Sequence, residues 1–220
     1  FAIGECNFSD HGANRLGASA LMQGLSDGYF VIPYTMQNYL SDQIQVPHID
    51  TKAPEFDAAE KAVQAEIDRI YNIKGDESVD HIHKKLYHIM WDYVGMARNE
   101  AGLKKALAML KDIRKEFNEH VRIPGDKEGL NVELDKAIHL RDFITMGELI
   151  AYDALERKES CGGHFREESQ TEEGEAKRDD ENFMYVACWQ YQGSDDVAPT
   201  LLKEPLDYQY IKVQVRNYKK

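Results

Sequence analysis

The chain has 220 residues, with 39 acidic against 27 basic side chains, a formal net charge of −12 and 42% hydrophobic residues. This length and apolar content suffice for one or two domains with a hydrophobic core. The negative charge argues against a nucleic-acid partner, because binding phosphates needs a clustered basic surface. No apolar run approaches the roughly 20 residues of a membrane-spanning helix. The three cysteines match no zinc-binding spacing and favour reduced thiols in a cytosolic compartment.

The first five residues read as the end of a buried strand. Phe1, Ala2 and Ile3 are apolar, Gly4 ends the run, and Glu5 is the first polar side chain. A strand that is apolar from its first residue is expected to pair with strands that precede it. We therefore predict that the sequence is a C-terminal piece of a larger protein.

A glycine-framed polar loop follows, with the sequence HGANRLG at residues 11–17. Small and apolar residues from Ala18 to Leu25 then predict a buried helix. Gly24, Gly28 and Pro33 predict that this helix is short or irregular beyond Leu25. Residues 33–56, with three prolines, predict an irregular connector.

Four amphipathic stripes, with apolar residues three or four positions apart, predict four helices. They are Ala59, Val63, Ile67 and Ile70; Val79, Ile82, Leu86, Ile89 and Tyr93; Leu103, Leu107, Leu110, Ile113, Phe117 and Val121; and Leu134, Ile138, Met146, Leu149 and Leu155. Ser78 is placed to cap the second helix, and Asn131 to open the fourth. Helices joined by short turns pack antiparallel, so we predict a mostly α fold with an antiparallel bundle of three to four helices over residues 51–158.

The last part of the chain, residues 159–220, is predicted to be an acidic loop followed by a small β-containing subdomain. Residues 159–182 hold nine acids and three bases, a composition typical of a solvated loop. Residues 183–191 and 208–215 are rich in aromatic and β-branched side chains, which predicts a small antiparallel strand pair.

Arg15 is the first candidate for a functional side chain. A guanidinium between glycines and next to a helix start can hold a carboxylate through two parallel hydrogen bonds. The alternative is that Arg15 pairs with an internal acid and that His11 only caps the loop. Residue chemistry alone slightly favours that alternative.

A family resemblance gives this loop a more specific meaning. Residues 1–5 (FAIGE) and the loop HGANRLG, followed by Ala20 and Leu21, closely resemble the last cofactor-domain segment of the flavoprotein subunit of succinate dehydrogenase and fumarate reductase. The segments WDYVGMARN at 91–99, RKESCGGHFR at 157–166 and RDDEN at 178–182 are similar to later segments of that family. The resemblance implies that residues 1–50 are the end of an FAD-binding domain.

The resemblance also implies roles for individual residues. Arg15 would bind a carboxylate of succinate or fumarate, while Glu5, Ala20 and Leu21 would contact FAD. Glu5 can accept hydrogen bonds from ribose hydroxyls, and the other two can offer backbone N–H groups at a helix start. In the family, hydride passes between the dicarboxylate and FAD, and electrons pass to an iron–sulfur subunit that docks on a membrane cytochrome b anchor. This implies a cytoplasmic protein, peripheral on the inner face of the cell membrane through that complex.

The sequence departs from the family in two places and lacks several of its functional groups. Ser19 stands where the family usually has Asn, and residues 161–164 are CGGH where it usually has RGAH, so any role of that arginine is lost. The Gly-rich dinucleotide motif, the proton-transferring arginine and the further substrate-binding residues belong to segments upstream of this loop. We therefore place no catalytic residue in the chain, and we expect the isolated chain to retain no FAD and to be inactive.

Other candidate sites are weaker. His81, His83 and His88 with Asp80 suggest a metal site, but on a helix residues 81 and 83 point about 200° apart, so a solvated face is favoured and no metal is predicted. Cys188 is expected to be a small buried residue. An aromatic patch is expected to lie in the core or at a subunit contact; its members are Tyr185, Trp189, Tyr191, Tyr208 and Tyr210.

Two alternative functions stay open at this stage. L-aspartate oxidase shares the fold, a very similar loop and a helical C-terminal domain, although the long tail after residue 163 favours the respiratory flavoprotein. The other alternative is a non-catalytic helical interaction domain.

Overall fold

A segmented helix begins the part of the chain that the computed structural model describes, which comprises residues 19–210 and 212–214. Helix α1 (Ser19–Ser26) continues through a π-helical turn (Asp27–Val31) into α2 (Ile32–Tyr39). The predicted irregularity beyond Leu25 is confirmed by this change of helix type. The prediction that this helix is buried is wrong for most of its described residues: Ala20 is buried, but Leu21, Met22 and Leu25 are more than half exposed, as are Tyr29 and Phe30 farther along.

The predicted connector at 33–56 is wrong at both of its ends. Pro33 lies in the first turn of α2, within the helical segment that continues from α1, and Pro54 is the first residue of the next helix, where its missing N–H costs no hydrogen bond. Neither proline therefore ends a helix. Only residues 40–53 lack helical structure.

All four predicted helices are present. They are α3 (Pro54–Tyr71), α4 (Val79–Val94), α5 (Glu100–His120) and α6 (Val132–Glu156). The caps of α4 and α6 are confirmed, because the side chains of Ser78 and Asn131 accept hydrogen bonds from the backbone N–H groups of His81 and Leu134. Such caps contribute about 1 kcal/mol each. Helix α6 ends at Glu156, five residues before Cys161.

Helix α5 runs antiparallel to α4. The two are joined by only five residues, and their contacts pair early residues of one with late residues of the other. The Lys85 ammonium pairs with Glu116, and Lys105 Nζ lies 2.8 Å from the Tyr93 hydroxyl. This is the expected geometry of a helical hairpin.

Helix α6 packs against both members of this hairpin. Lys136 Nζ lies 3.2 Å from Asp80 Oδ1, which sets α6 parallel to α4. At Gly147 the three helices meet closely, since a Cβ there would lie 3.1 Å from Met90 Sδ and 3.6 Å from Leu110 Cδ2. The apolar side chains around Gly147 belong to the buried core of the bundle. Burial of each large aliphatic side chain there contributes about 1.5–3 kcal/mol to the free energy of unfolding.

A two-residue parallel strand pair closes the open end of the hairpin. Strand β1 (Glu77–Ser78) precedes α4 and pairs with β2 (Val121–Arg122), which follows α5. The Gly75 N–H donates to the Val121 carbonyl at 3.1 Å. A Cβ at Gly75 would lie 2.0 Å from the His120 carbonyl oxygen, so only glycine permits this approach.

The C-terminal β pair exists, but the second predicted strand is in the wrong place. After a short helix α7 (Asp180–Phe183), strand β3 (Tyr185–Gln190) pairs antiparallel with β4 (Thr200–Pro205). The described residues among 208–215 are 208–210 and 212–214, and none is in a strand. The alternation of apolar and polar residues in this stretch did not predict a strand correctly. A segment becomes a strand only where it hydrogen-bonds to a partner strand, and β3 pairs with residues 200–205.

The predicted fold class is confirmed: the chain is mostly α, with a helical bundle and a small β tail. The division into residues 1–50, 51–158 and 159–220 stays a prediction.

Candidate functional site

Two of the four site residues predicted from the sequence lie in the described part of the chain. Ala20 and Leu21 are the second and third residues of α1. Ala20 is buried and Leu21 is 69% exposed, so their side chains have different environments. Their contact with FAD stays a prediction.

Glu5 and Arg15 lie outside the described residues. Their roles toward FAD and the dicarboxylate stay predictions, as does the departure from the family at Ser19.

The most elaborate polar structure lies between the end of α4 and the segment that follows α6. Arg98 donates through Nε to the carbonyls of Val94 and Gly95 at the end of α4, and its Nη1 lies 2.8 Å from His164 Nδ1. The other imidazole nitrogen, Nε2, lies 2.8 Å from the Arg157 carbonyl oxygen. Because a guanidinium can only donate, His164 is neutral with its proton on Nε2.

The surroundings keep His164 neutral. Burial lowers its pKa, and the nearby charges of Arg98 and Arg166 act in the same direction. Burial also lowers the pKa of Arg98. The imidazole thus serves as an acceptor for Arg98 and a donor to the chain after α6.

Two charged side chains in the acidic segment are buried, so the prediction of a solvated loop is wrong for them. Glu159 is 2% exposed; it accepts from Arg157 Nη1 at 2.8 Å and from the Asp179 N–H at 2.8 Å. Arg166 is equally buried and donates from Nη1 to the carbonyl of Ala154 at 2.9 Å, near the end of α6. These long-range partners left no signal in the composition of the segment.

A cavity of about 510 Å³ opens beside this network, between the end of α6, the turn at residues 161–164 and strand β3. Its polar lining includes Asp153, Arg157 and Arg178, and its apolar lining includes Tyr185 and Trp189. The volume is in the range of small-molecule sites.

Cys161 also lines the cavity, in a tight turn that two backbone hydrogen bonds close against His164. Burial raises the pKa of its thiol, and the Glu159 charge adds to the increase. The thiol is therefore held protonated at neutral pH. Cys188, by contrast, is exposed on β3, and the prediction that it is buried is wrong because its side chain points away from α6.

The histidines of α4 have individual surroundings. His81 Nδ1 lies 3.1 Å from Glu77, while the His83 ring contacts Phe143 with ring centroids 5.7 Å apart. Within residues 19–210 and 212–214, no three His, Cys, Asp or Glu side chains come together as a potential metal site.

The predicted aromatic patch is divided. Tyr185 is buried, and Trp189 is half-buried against Tyr152 of α6. Tyr191, Tyr208 and Tyr210 are exposed, because the strand pair that was to contain the last two does not form there.

Comparison with known proteins places this architecture in a family. The family model described as "Fumarate reductase flavoprotein C-term" matches residues 83–218, more than half of the chain. The chain belongs to this family.

Individual relatives agree with the assignment. An uncharacterized FAD-dependent oxidoreductase of Methanocaldococcus jannaschii is 34% identical over 176 residues, 76% of this chain and 28% of its own length. The fumarate reductase flavoprotein subunit of Haemophilus influenzae is 28% identical over 185 residues, 84% of this chain and 29% of its own. The L-aspartate oxidase of Yersinia pestis is 28% identical over 167 residues, 75% of this chain and 27% of its own.

Among solved structures, the E. coli quinol fumarate reductase matches with a TM-score of 0.74 and 26% identity, covering 96% of this chain and 34% of its own. The chain thus spans about a third of the proteins it matches. It corresponds to the C-terminal domain of the fumarate reductase and succinate dehydrogenase flavoproteins.

These relatives are oxidoreductases and flavoproteins by name. In the part of this chain that the structure describes, no helix is both long and apolar enough to cross a bilayer.

Proposed function

We propose that the chain is the C-terminal part of an FAD-dependent flavoprotein that interconverts succinate and fumarate. The observation that carries the proposal is the similarity to a fumarate reductase flavoprotein subunit over 84% of the chain. The HGANRLG loop, which resembles the family's substrate and cofactor segment, supports it.

The proposed roles of the chain's own residues follow from their chemistry. Arg15 binds one carboxylate of the substrate through its guanidinium fork and cannot lose its charge. Glu5 accepts hydrogen bonds from ribose hydroxyls, and the backbone N–H groups of Ala20 and Leu21 face the flavin. FAD, when bound, supplies the hydride acceptor or donor. No residue of this chain is proposed to transfer the proton.

The partners and the location are part of the same proposal. Electrons pass to an iron–sulfur subunit that docks on a membrane cytochrome b anchor, which places the flavoprotein at the inner face of the cell membrane. A structural neighbour with 96% of this chain matched is a quinol fumarate reductase, which supports a respiratory partner.

The test uses the full-length parent flavoprotein, with fumarate reduction by reduced benzyl viologen as the assay. Replacing Arg15 by glutamine is expected to lower the activity about a hundredfold or more, since the carboxylate loses its charged partner and its position. Arg122→Gln, on the exposed side of β2, is the matched control and should leave activity unchanged. Full activity of the Arg15 variant would overturn the assignment of substrate binding.

A second measurement addresses the isolated chain. We expect the purified 220-residue chain, mixed with FAD and desalted, to retain no visible flavin absorption and to reduce no fumarate. A stoichiometric flavin band would contradict our view that upstream segments are required for cofactor binding.

L-aspartate oxidase remains the second candidate, because a member of that class aligns over 75% of the chain. It is separated from the first by substrate. Oxidation of L-aspartate by the parent, without interconversion of succinate and fumarate, would replace the proposed function.

A further inference from the structure

The cavity beside the Arg98–His164 network has an uneven balance of paired and unpaired charges. Its lining contains three carboxylates, those of Asp153, Glu159 and Asp180, and two guanidiniums, those of Arg157 and Arg178. Two of the carboxylates are matched to the two guanidiniums. The third has no such partner.

Both arginines are fully engaged. Arg157 donates from Nη1 to Glu159 and to the Phe183 carbonyl, and from Nη2 to the Tyr185 carbonyl. Arg178 makes a two-pronged pair with Asp180 and donates from Nη1 to the Gln214 carbonyl at 2.9 Å. An anion in the cavity would have to displace carboxylates that these guanidiniums already hold.

Asp153 is the unmatched carboxylate. Its Oδ1 accepts from Trp189 Nε1 at 2.9 Å. Throughout the described chain, no lysine, arginine or histidine nitrogen lies within 4.0 Å of its carboxylate. The Asp153 charge acts to raise the pKa of Arg98 and of His164, but neither side chain forms an ion pair with it.

The apolar lining is suited to a cation with an organic body. The rings of Phe183, Tyr185 and Trp189 line the cavity, and ring faces attract cations as well as apolar groups. Tyr185 is 9% exposed, and its ring already carries two cations, since the Lys203 ammonium and the Arg157 guanidinium lie 4.5 Å and 4.9 Å from its centroid. The rings of Phe183 and Trp189 carry no such cation from the described residues and are therefore the ones offered to a ligand.

We propose that the cavity is a binding site for a small organic cation. An ammonium or amidinium group pairs with the free edge of the Asp153 carboxylate, and the apolar body of the ligand packs against Trp189 and Phe183.

The test measures binding of benzylammonium to the 220-residue chain, without flavin. The chain has two tryptophans, so a Trp91→Phe background leaves Trp189 as the fluorescent reporter inside the cavity. Benzylammonium is expected to change its emission saturably at millimolar concentrations. Benzyl alcohol, which lacks the charge, and benzoate, which reverses it, are expected to bind at least tenfold more weakly. Equal or tighter binding of benzoate would overturn the proposal.

Asp153→Asn tests the charge itself. The amide oxygen can still accept from Trp189, so the cavity is preserved while the carboxylate is removed. We expect at least a tenfold loss of benzylammonium affinity by calorimetry, with the near-ultraviolet circular dichroism unchanged. Asp142→Asn, on the same helix but exposed and paired with Arg141, is the control and should bind normally. Unchanged affinity in the Asp153 variant would overturn the proposal.

Cys161→Arg provides a second variant that does not remove the acid. Cys161 lines the cavity, and an arginine there would fill part of its volume and add a positive charge. We expect benzylammonium affinity to fall at least tenfold. Normal binding by a folded variant would contradict the assigned position of the cation.

Discussion

The helices of the bundle share a buried apolar core, with ion pairs such as Lys85–Glu116 around it, whereas the segment from Arg157 to Phe183 is held mainly by charged and polar contacts. The bundle buries one continuous core that α3, α4, α5 and α6 share. The segment has only one short helix, and side chains such as Glu159 and Arg166 fix it by bonding to distant backbone groups. Apolar packing tolerates small shifts, while a buried ion requires every partner in place.

The bundle is the region whose disruption should cost most. Leu110 of α5 is fully buried among α4 and α6, so Leu110→Ala should lower the free energy of unfolding by about 3–4 kcal/mol through lost burial and a cavity. Urea unfolding followed by far-ultraviolet circular dichroism measures the loss. Leu130→Ala, at a position 96% exposed, is the control and should be nearly neutral. A loss below about 1 kcal/mol for Leu110 would mean that the core relaxes around the change.

The segment from Arg157 to Phe183 should lose its structure separately from the bundle. Glu159→Ala leaves Arg157 and the Asp179 N–H without their buried partner, which costs about 3 kcal/mol in similar cases. Since these contacts lie outside the bundle, we expect the near-ultraviolet signal of Trp189 to disappear first while helicity persists. Glu172→Ala, exposed in the same segment, should change neither signal. Simultaneous loss of both signals in the Glu159 variant would show that the two regions unfold as one unit.

The strand pair that closes the α4–α5 hairpin allows a steric test. Gly75→Val would force a side chain against the backbone of His120, and we expect a loss of about 2–3 kcal/mol. Gly28→Ala is the matched control, because a Cβ there meets nothing within 4 Å. Its stability should stay level or rise slightly. A tolerated valine at position 75 would mean that the ends of the hairpin can separate without affecting the core.

The smallest effect should be the pH dependence contributed by His164. Its pKa is lowered in the folded chain, so the folded state binds fewer protons than the unfolded state. The stabilisation from neutral His164 is complete at pH values above 6.5, the pKa of a free histidine side chain. It is lost as the pH falls through the lower pKa that His164 has in the folded chain. His164→Gln can keep both hydrogen bonds without titrating, so its unfolding free energy should depend less on pH. Identical pH profiles would exclude His164 as a source of acid lability.

The same contrast explains what the sequence could predict. Helices α4, α5 and α6 follow from local information, namely apolar stripes and caps such as Ser78 and Asn131. Strand β4 was missed because TLLKEP at 200–205 has no alternation, and its structure depends on pairing with β3. The burial of Glu159 and Arg166 depends on partners as far as 20 residues away, which neither composition nor periodicity encodes.

The candidate site residues were identified by resemblance, whereas the cavity was found only in the structure. Arg15 and Glu5 were identified by resemblance alone, since residue chemistry left Arg15 open to a structural role. The cavity at Asp153 had no sequence signal, because its lining joins α6, a turn and a strand that are distant in sequence. Only the folded chain brings its aromatic rings to one carboxylate.

The short strand pair between Glu77–Ser78 and Val121–Arg122 also has a kinetic consequence. The turn after α4 brings the two helices together early, because closing a short loop costs little entropy. Once the hairpin has formed, its free ends are already neighbours, and the strand pair forms with little further search. We therefore expect this hairpin to be a folding nucleus on which α6 assembles later, with substitutions in α4 and α5 slowing folding and those late in α6 mainly accelerating unfolding.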